Sequence, residues 1–264
     1  MTTSGPDEAL FTVADNIAEI TLNRPERGNA LTSSMMQWFR HIWRQIADDP
    51  EIRCVVITGA GDRHFCTGAD LGHVSANGSV GAGLGRAKQE VFFTSRQNDV
   101  WKPTVCAVNG VAAGGGLHFV VDADIVVAST AAQFLDTHVN VGMVGGIENV
   151  GLAKRLPLGT ALRMTLQGRN FRLTAERAYA LGLVDELVAP EDLLNTARQI
   201  AGDIAQNSPH AVSLSQQAVW SALEMPYSQA VEYSYGLVKD QWQHPDFVEG
   251  PRAFAERRAP RWQP

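Results

Sequence analysis

Two short segments of this chain carry glycines where backbone amides could do chemistry. One is His64-Phe65-Cys66-Thr67-Gly68-Ala69-Asp70-Leu71, soon after the apolar run 54–58. The other is Asn109-Gly110-Val111-Ala112-Ala113-Gly114-Gly115-Gly116, directly after the apolar run 104–108 and ahead of a helix-like apolar stretch. Three consecutive glycines expose their N–H groups and let a ligand approach closely. At a helix N-terminus such donors point outward, backed by the positive end of the helix dipole. Joined by a donor from the Gly68-Ala69 turn, they make a candidate oxyanion hole, which stabilises negative charge developing on a carbonyl oxygen. The alternative is a glycine-rich turn needed only for packing. Cys66 lies two residues from His64, a spacing that makes no nucleophile–base pair on an extended segment, so it reads as a small buried thiol. No GxSxG, HExxH or Walker loop is present.

Turns of this kind need a framework to aim them. Residues 17–22 alternate as a strand does and run into the turn Asn23-Arg24-Pro25. Thr32 or Ser33 caps a helix in which Met35, Trp38, Phe39, Ile42, Trp43 and Ile46 recur at helical spacing, a core-facing stripe. The runs 54–58, 104–108 and 124–128 are strands apolar on both faces, as parallel strands are. Their order, strand, helix, strand, predicts parallel βαβ units. Residues 72–85, rich in Gly, Ser and Ala, predict a mobile loop; the GAGLG within it follows no strand and is no dinucleotide fingerprint. From about Thr174 the pattern predicts helices over 174–180, 191–206, 209–223 and 227–242, with one short strand over 183–188. The last helices carry more apolar and aromatic positions than a short tail buries alone, which predicts packing against neighbouring subunits.

Composition narrows the class. The 264 residues suffice for one large domain, or one domain with a small appendage. Net charge is −6 with Lys and Arg scattered, so no basic stripe marks a nucleic-acid partner, and an anionic ligand needs locally placed cations. Three cysteines, Cys54, Cys66 and Cys106, are an odd count without a CxxC, which argues against a disulfide scaffold or zinc site and suits a reducing compartment. The opening MTTSGPDEAL has no basic segment leading into an apolar one, and no apolar stretch is long enough for a bilayer. The expectation is a soluble, cytoplasmic protein with no membrane partner and no metal.

The ordered segments LNRPERGNAL (22–31), CVVITGAG (54–61), HFCTGADL (64–71), KPTVCAVNGVAAGGG (102–116) and DADIVVAS (122–129) closely resemble the crotonase, or enoyl-CoA hydratase/isomerase, superfamily. LQGRNFRLTAERAYALGLVDELV (166–188) and EGPRAFAERRAPRW (249–262) extend the resemblance over nearly the whole chain. It implies an α/β fold, the crotonase (ClpP-like) spiral of ββα units with a C-terminal helical trimerisation region. Residues 1–200 would form the spiral core with the acyl-CoA site, and 201–264 the helical region for oligomer packing. The implied partners are an acyl-CoA substrate and copies of the chain, as a homotrimer or dimer of trimers. The implied cofactor is none beyond the coenzyme A of the thioester itself. The oxyanion donors map onto the N–H groups of Ala69 and Gly115. The coenzyme would lie along Asn29-Ala30-Leu31 and over Cys66, Gly68 and Gly114. Arg24 and Arg27 are candidates for its phosphates, with Phe254 and Arg258 supplied by a neighbouring subunit; both arginine pairs also read as solvated surface charge. Asp70 reads as a turn-stabilising residue at the edge of this set.

The chain departs from the family where it matters most. Enoyl-CoA hydratases usually carry two glutamates that position and activate a water. The first follows the oxyanion glycine by three residues, and here that residue is His118; the second is here His138, four residues after Phe134. Histidine titrates near neutrality and can give or take a proton. A helix N-terminus beside His118 would disfavour its cation and leave a neutral imidazole able to act as base. Both histidines also fit a packing role in a site that has lost catalysis. Glu148 is a third candidate, either catalyst or cap of a helix starting near Ile147, and Asp136 and Asn140 are placed to orient His138. Three functions stay open: an enoyl-CoA hydratase/isomerase-type lyase or isomerase using His118 and His138; a C–C bond hydrolase or dehalogenase-like enzyme on the same scaffold; and a non-catalytic acyl-CoA binding protein.

Overall fold

A computed structural model of the chain describes residues 7–77 and 83–263. β1 (Ala9–Ala14) and β2 (Ile17–Leu22) form an antiparallel hairpin closed by Asp15 and Asn16, at φ of 51° and 63°. Asp and Asn enter that left-handed region more readily than other residues with a Cβ, as a two-residue hairpin turn requires. In α1 (Ser33–Asp48), Thr32 Oγ1 accepts the Met35 N–H at 3.3 Å, a cap worth about 1 kcal/mol. The expected stripe of Met35, Phe39, Ile42, Trp43 and Ile46 is buried, with Trp38 at its edge.

Three successive passes of the chain then repeat one plan: a strand in a large sheet, a short strand in a second sheet, then a helix. The first is β3 (Cys54–Gly59), β4 (His64–Cys66) and α2 (Leu71–Asn77). After α3 (Ala87–Glu90) and a 3-10 turn at Arg96–Asn98 comes the second, β5 (Thr104–Val108), β6 (Val111–Ala113) and α4 (Leu117–Val121). The third is β7 (Ile125–Ser129), β8 (Gln133–Leu135) and α5 (Ile147–Arg155). The chain finishes with α6 (Leu158–Gln167), β9 (Leu173–Thr174), α7 (Ala175–Ala180), β10 (Glu186–Val188), α8 (Leu193–Ala205), α9 (Pro209–Ser221), α10 (Tyr227–Gln241) and α11 (Asp246–Glu256).

The large sheet runs β1-β2-β3-β5-β7-β10, parallel from β2 onward; the second runs β4-β6-β8-β9, parallel as far as β8. Side chains of a strand alternate between faces, and here both faces are covered. Val55, Ile57, Cys106, Val108, Val126 and Ala128 join the main core with α1 and α4, while Cys54, Val56, Val105, Ala107 and Val127 pack against Leu193, Ala197 and Ala201 of α8. That is why β3 and β5 read as unbroken apolar runs. α8, which spans position 200, packs on this sheet.

Several expectations need correction. Residues 72–77 are helical, belonging to α2, where a loop was expected; 78–82 lie outside the described residues. The strands expected from 124 and 183 start at Ile125 and Glu186. Asp124 instead spends its carboxylate on the Thr104 N–H, Gln216 and Trp220, and the Asp185 carboxylate takes the Val126 N–H. Among the described residues no helix is long and apolar enough to cross a membrane.

Candidate active site

Each of the three passes leaves the second sheet at the same end, and each exit delivers one part of the site. β4 leads to Ala69, β6 to Gly115 and β8 to His138. Ligands of parallel sheets gather at the carboxyl ends of strands for this reason.

The backbone donors come first. Leu31 bridges to the residues on either side of Ala69: its N–H donates to Gly68 O at 2.8 Å and its carbonyl accepts the Asp70 N–H at 3.1 Å. Peptide groups alternate along an extended segment, so the Ala69 N–H points away from Leu31. Gly115 is the second residue of the 3-10 turn Gly114–Gly116, where an N–H has no acceptor inside the helix. The two turns touch. A Cβ at Gly68, whose φ is 86°, would sit 2.7 Å from Gly115 N, and a Cβ at Gly115 would sit 3.8 Å from Ala69 N. A Cβ at Gly116 would collide with the Cys66 carbonyl oxygen, which explains the run of glycines by close approach.

Ala69 and Gly115 both line a cavity of about 420 Å³, whose polar lining includes His118, His138, Glu148 and Glu90 and whose walls include Leu31, Met36, Phe93 and Met143. His138 Nδ1 donates to Asp136 Oδ1 at 2.7 Å, and the same oxygen accepts the His138 N–H at 3.0 Å. Asp136 is fully buried and its second oxygen accepts from Asn149 Nδ2 at 2.7 Å. Nε2 of His138 is thereby left for the cavity, beside Gly114. Glu148 stands between the imidazoles, Oε1 lying 3.2 Å from His138 Nδ1 and Oε2 lying 3.4 Å from His118 Nε2. Since His138 Nδ1 directs its hydrogen at Asp136, Glu148 Oε1 is buried without a hydrogen bond. Glu148 does not cap α5; Gly146 is the cap position and the carboxyl faces inward.

Environment separates these groups. Burial pushes Asp136 up, but hydrogen bonds from His138 and Asn149 bring its carboxyl below the usual range. The bond to Asp136 raises His138, opposed by burial and aided by Glu148. Burial raises Glu148 above an ordinary carboxylic acid, partly offset by its own N–H and by His138. His118 is lowered to about 4, first by burial and then by His138. Burial rather than a helix end is the main cause of that shift.

Comparison with known proteins fits this arrangement. Residues 12–264 match the family model described as enoyl-CoA hydratase/isomerase. The chain is 36% identical to (E)-benzylidenesuccinyl-CoA hydratase of Thauera aromatica, over 94% of this chain and 96% of that protein. It belongs to the enoyl-CoA hydratase/isomerase family. It is also 32% identical to a carnitinyl-CoA dehydratase of Proteus mirabilis, covering 96% of this chain and 97% of that one. The crystal structure of an enoyl-CoA hydratase/isomerase from Mycobacterium paratuberculosis superposes with a TM-score of 0.87 at 36% identity, covering 97% of this chain and 98% of that chain. The fold is therefore the crotonase fold, and the chain is an enzyme of this family.

Other residues singled out from the family pattern lie at varying distances from the cavity. Ala30 is buried and lends its carbonyl to Arg24 at 2.8 Å. Arg24 also pairs with Asp70 at 3.0 Å and Glu8 at 3.3 Å, so its charge is already balanced by two carboxylates and it pins the Gly68–Asp70 turn to the hairpin. Arg27 is exposed. Cys66 is wholly buried and its thiol is pushed up to about 12 by burial, which places it behind the turn rather than in contact with a ligand. Asp70 supports its turn as expected, accepting the Gly72 N–H at 3.1 Å. Phe254 is 87% exposed on α11, and Arg258 is paired with Glu249 and Glu256. Asn140 does not orient His138; its Oδ1 takes the Arg169 N–H at 2.7 Å. Sequence reasoning missed Gln97, which touches His118, and Asn149, which holds Asp136; neither lies in a motif, so only the fold reveals them.

Proposed function

We propose that this protein adds water to, or removes it from, the α,β position of an acyl-CoA thioester. The amides of Ala69 and Gly115 hold the thioester oxygen, and two such preformed donors supply a few kcal/mol each as charge moves onto it. Neutral His138, with Asp136 behind it, takes a proton from water on Nε2 while the water oxygen bonds to Cβ. The enolate formed is held by the two amides. Glu148, whose carboxyl burial raises above the ordinary range, returns a proton to Cα. One water has then been added; the starting form returns when the Nε2 proton of His138 passes to water in the cavity and Glu148 takes one proton back from it. Dehydration is the reverse. The observation that carries this reading is the Asp136–His138 dyad beside the amides of Ala69 and Gly115, which have no acceptor among the described residues. The hydratase and dehydratase relatives support the reaction class. Arg27 and Gly114 are proposed to contact the coenzyme, with Phe254 and Arg258 from a neighbouring copy.

A second reading draws on the same dyad. An imidazole backed by a buried carboxylate deprotonates water for attack on a carbonyl, as a C–C bond hydrolase requires. Offering the enzyme crotonyl-CoA, a β-aryl enoyl-CoA and a cyclic β-dicarbonyl compound separates the two. Hydration of either thioester with no cleavage of the diketone supports the hydratase; the converse removes it.

A further inference from the structure

His118 Nδ1 lies 3.0 Å from Gln97 Nε2. The amide cannot turn the other way round. Its Oε1 accepts the Phe93 N–H at 2.8 Å, and a backbone N–H can only donate. Its Nε2 also reaches Asp122 Oδ2 at 3.0 Å, an oxygen that accepts from Thr94 Oγ1 as well. One amino hydrogen therefore goes to Asp122 and the other to His118 Nδ1. A ring nitrogen that accepts carries no hydrogen, so in the neutral ring the hydrogen sits on Nε2, the atom facing Glu148 Oε2.

We propose that Gln97 is a positioning residue that locks His118 as its Nε2–H tautomer, so that His118 turns a hydrogen toward Glu148, 3.4 Å away, and is not a general base. The lock is built into the core. Trp43 Nε1, on α1, donates to Phe93 O at 2.8 Å, and Asn98 Nδ2 donates to Phe92 O and Thr94 O. The Phe93 ring packs on the His118 imidazole at 5.2 Å. The groups facing His118 are Glu148 from α5, His138 from the turn after β8, and, through Gln97, Asp122 at the end of α4 with Arg96 near it. A donor on Oε2 steadies the carboxylate that forms when Glu148 gives up its proton. The consequence for rate rests on the role proposed above for Glu148; the tautomer itself does not.

The test is 15N NMR of the full chain labelled at histidine, beside steady-state kinetics on an enoyl-CoA. In the wild type the His118 signals should show hydrogen on Nε2 and none on Nδ1 from pH 6 to 8. Gln97→Glu puts an acceptor at Nδ1 and should move hydrogen onto that nitrogen, lowering kcat roughly tenfold to a hundredfold with KM nearly unchanged. Gln97→Met removes the bond and should give a mixture of tautomers. A wild-type His118 with hydrogen on Nδ1 overturns the proposal even if Gln97→Glu fails to fold. So does a Gln97→Met variant that keeps the pure Nε2–H form. If the wild-type tautomer is as stated but Glu148→Gln retains full turnover, the lock stands and the acid role of Glu148 falls.

Discussion

Replacing Asp136 by Asn tests the dyad with little change of shape. Oδ1 of Asp136 accepts two hydrogens from His138, so an Asn would keep its oxygen there and turn its amino group toward Asn149. Asn149 can meet it, because its own Oδ1 is buried without a partner and a flip of that amide presents it. The fold should survive, with a cost of about 1 kcal/mol for the disturbed bond to Thr165. The His138 Nδ1–H tautomer also survives; what disappears is a negative charge 2.7 Å from the ring. A charge-assisted hydrogen bond exceeds a neutral one by about 1 to 1.5 kcal/mol, or roughly one pKa unit. Asp136 raises His138, so its loss lowers His138. A base works only when neutral, so the acid limb of kcat/KM should move toward lower pH. The plateau should fall as well, because the imidazolium formed in the transition state loses its counter-charge. Taking about 4 Å between the centres of charge and an effective dielectric near 20, that loss is about 4 kcal/mol, which puts the fall between roughly tenfold and a thousandfold. The assay follows disappearance of the conjugated enoyl thioester by ultraviolet absorbance from pH 5 to 9. An acid limb that stays in place, or moves to higher pH, refutes the role given to His138.

Gly115→Ala should leave stability within about 1 kcal/mol, since its Cβ meets nothing closer than 3.4 Å, yet lower kcat roughly 10² to 10³-fold by standing between the amides; Gly116→Ala should fail to fold, and equal behaviour of the two in thermal melts and turnover would contradict the geometry. His118 is held at about 4 against 6.5 unfolded, so the unfolded chain binds the extra proton between those values and stability falls as pH drops through them, by about 3 kcal/mol in all. Raised Glu148 works in the opposite sense, so the measurement is Tm against pH for wild type and His118→Asn, whose curve should be flatter below pH 6.5; parallel curves would show that His118 carries no such linkage. The apolar residues left exposed on α10 and α11, Tyr227, Tyr235, Trp242 and Phe254 among them, are proposed to pack on copies of the chain, and light scattering should return a multiple of three chains, whereas a monomer at micromolar concentration would exclude it.

What the sequence revealed of this structure follows from where the information is local. The strands β2 and β5 were bounded correctly because turn residues flank apolar runs: Asp15-Asn16 and Asn23 for one, Pro103 and Asn109-Gly110 for the other. The second sheet was not seen, since β4, β6 and β8 have three residues each, too few for a period to register. The oxyanion turns were legible as glycines, and the structure shows that at Gly68 and Gly116 the neighbours leave no room for a Cβ. His118 and His138 were legible only against the family's pattern. Arg24 could not be placed from sequence because its partners Glu8 and Asp70 lie 16 and 46 positions away. Gln97 was invisible for a similar reason: its meaning depends on which end of an amide a distant backbone N–H selects.

The exchange of two glutamates for two histidines does not remove the carboxylates from this site; it moves them back one rank. Asp136, two residues before His138, and Glu148, ten residues after it, restore two acids, each reaching His138 through Nδ1. Two carboxylates facing one water repel, and burial raises that cost. An imidazole set between a carboxylate and the cavity leaves a base that titrates nearer neutrality. The buried set carries the same net charge with both groups neutral as with a His138 cation beside a Glu148 anion, so acid and base can exchange roles through solvent at little electrostatic cost. That economy depends on His118 staying neutral. A cation there would favour Glu148 as its anion and leave no proton to give, so in the proposed mechanism burial of His118 matters as well as its presence.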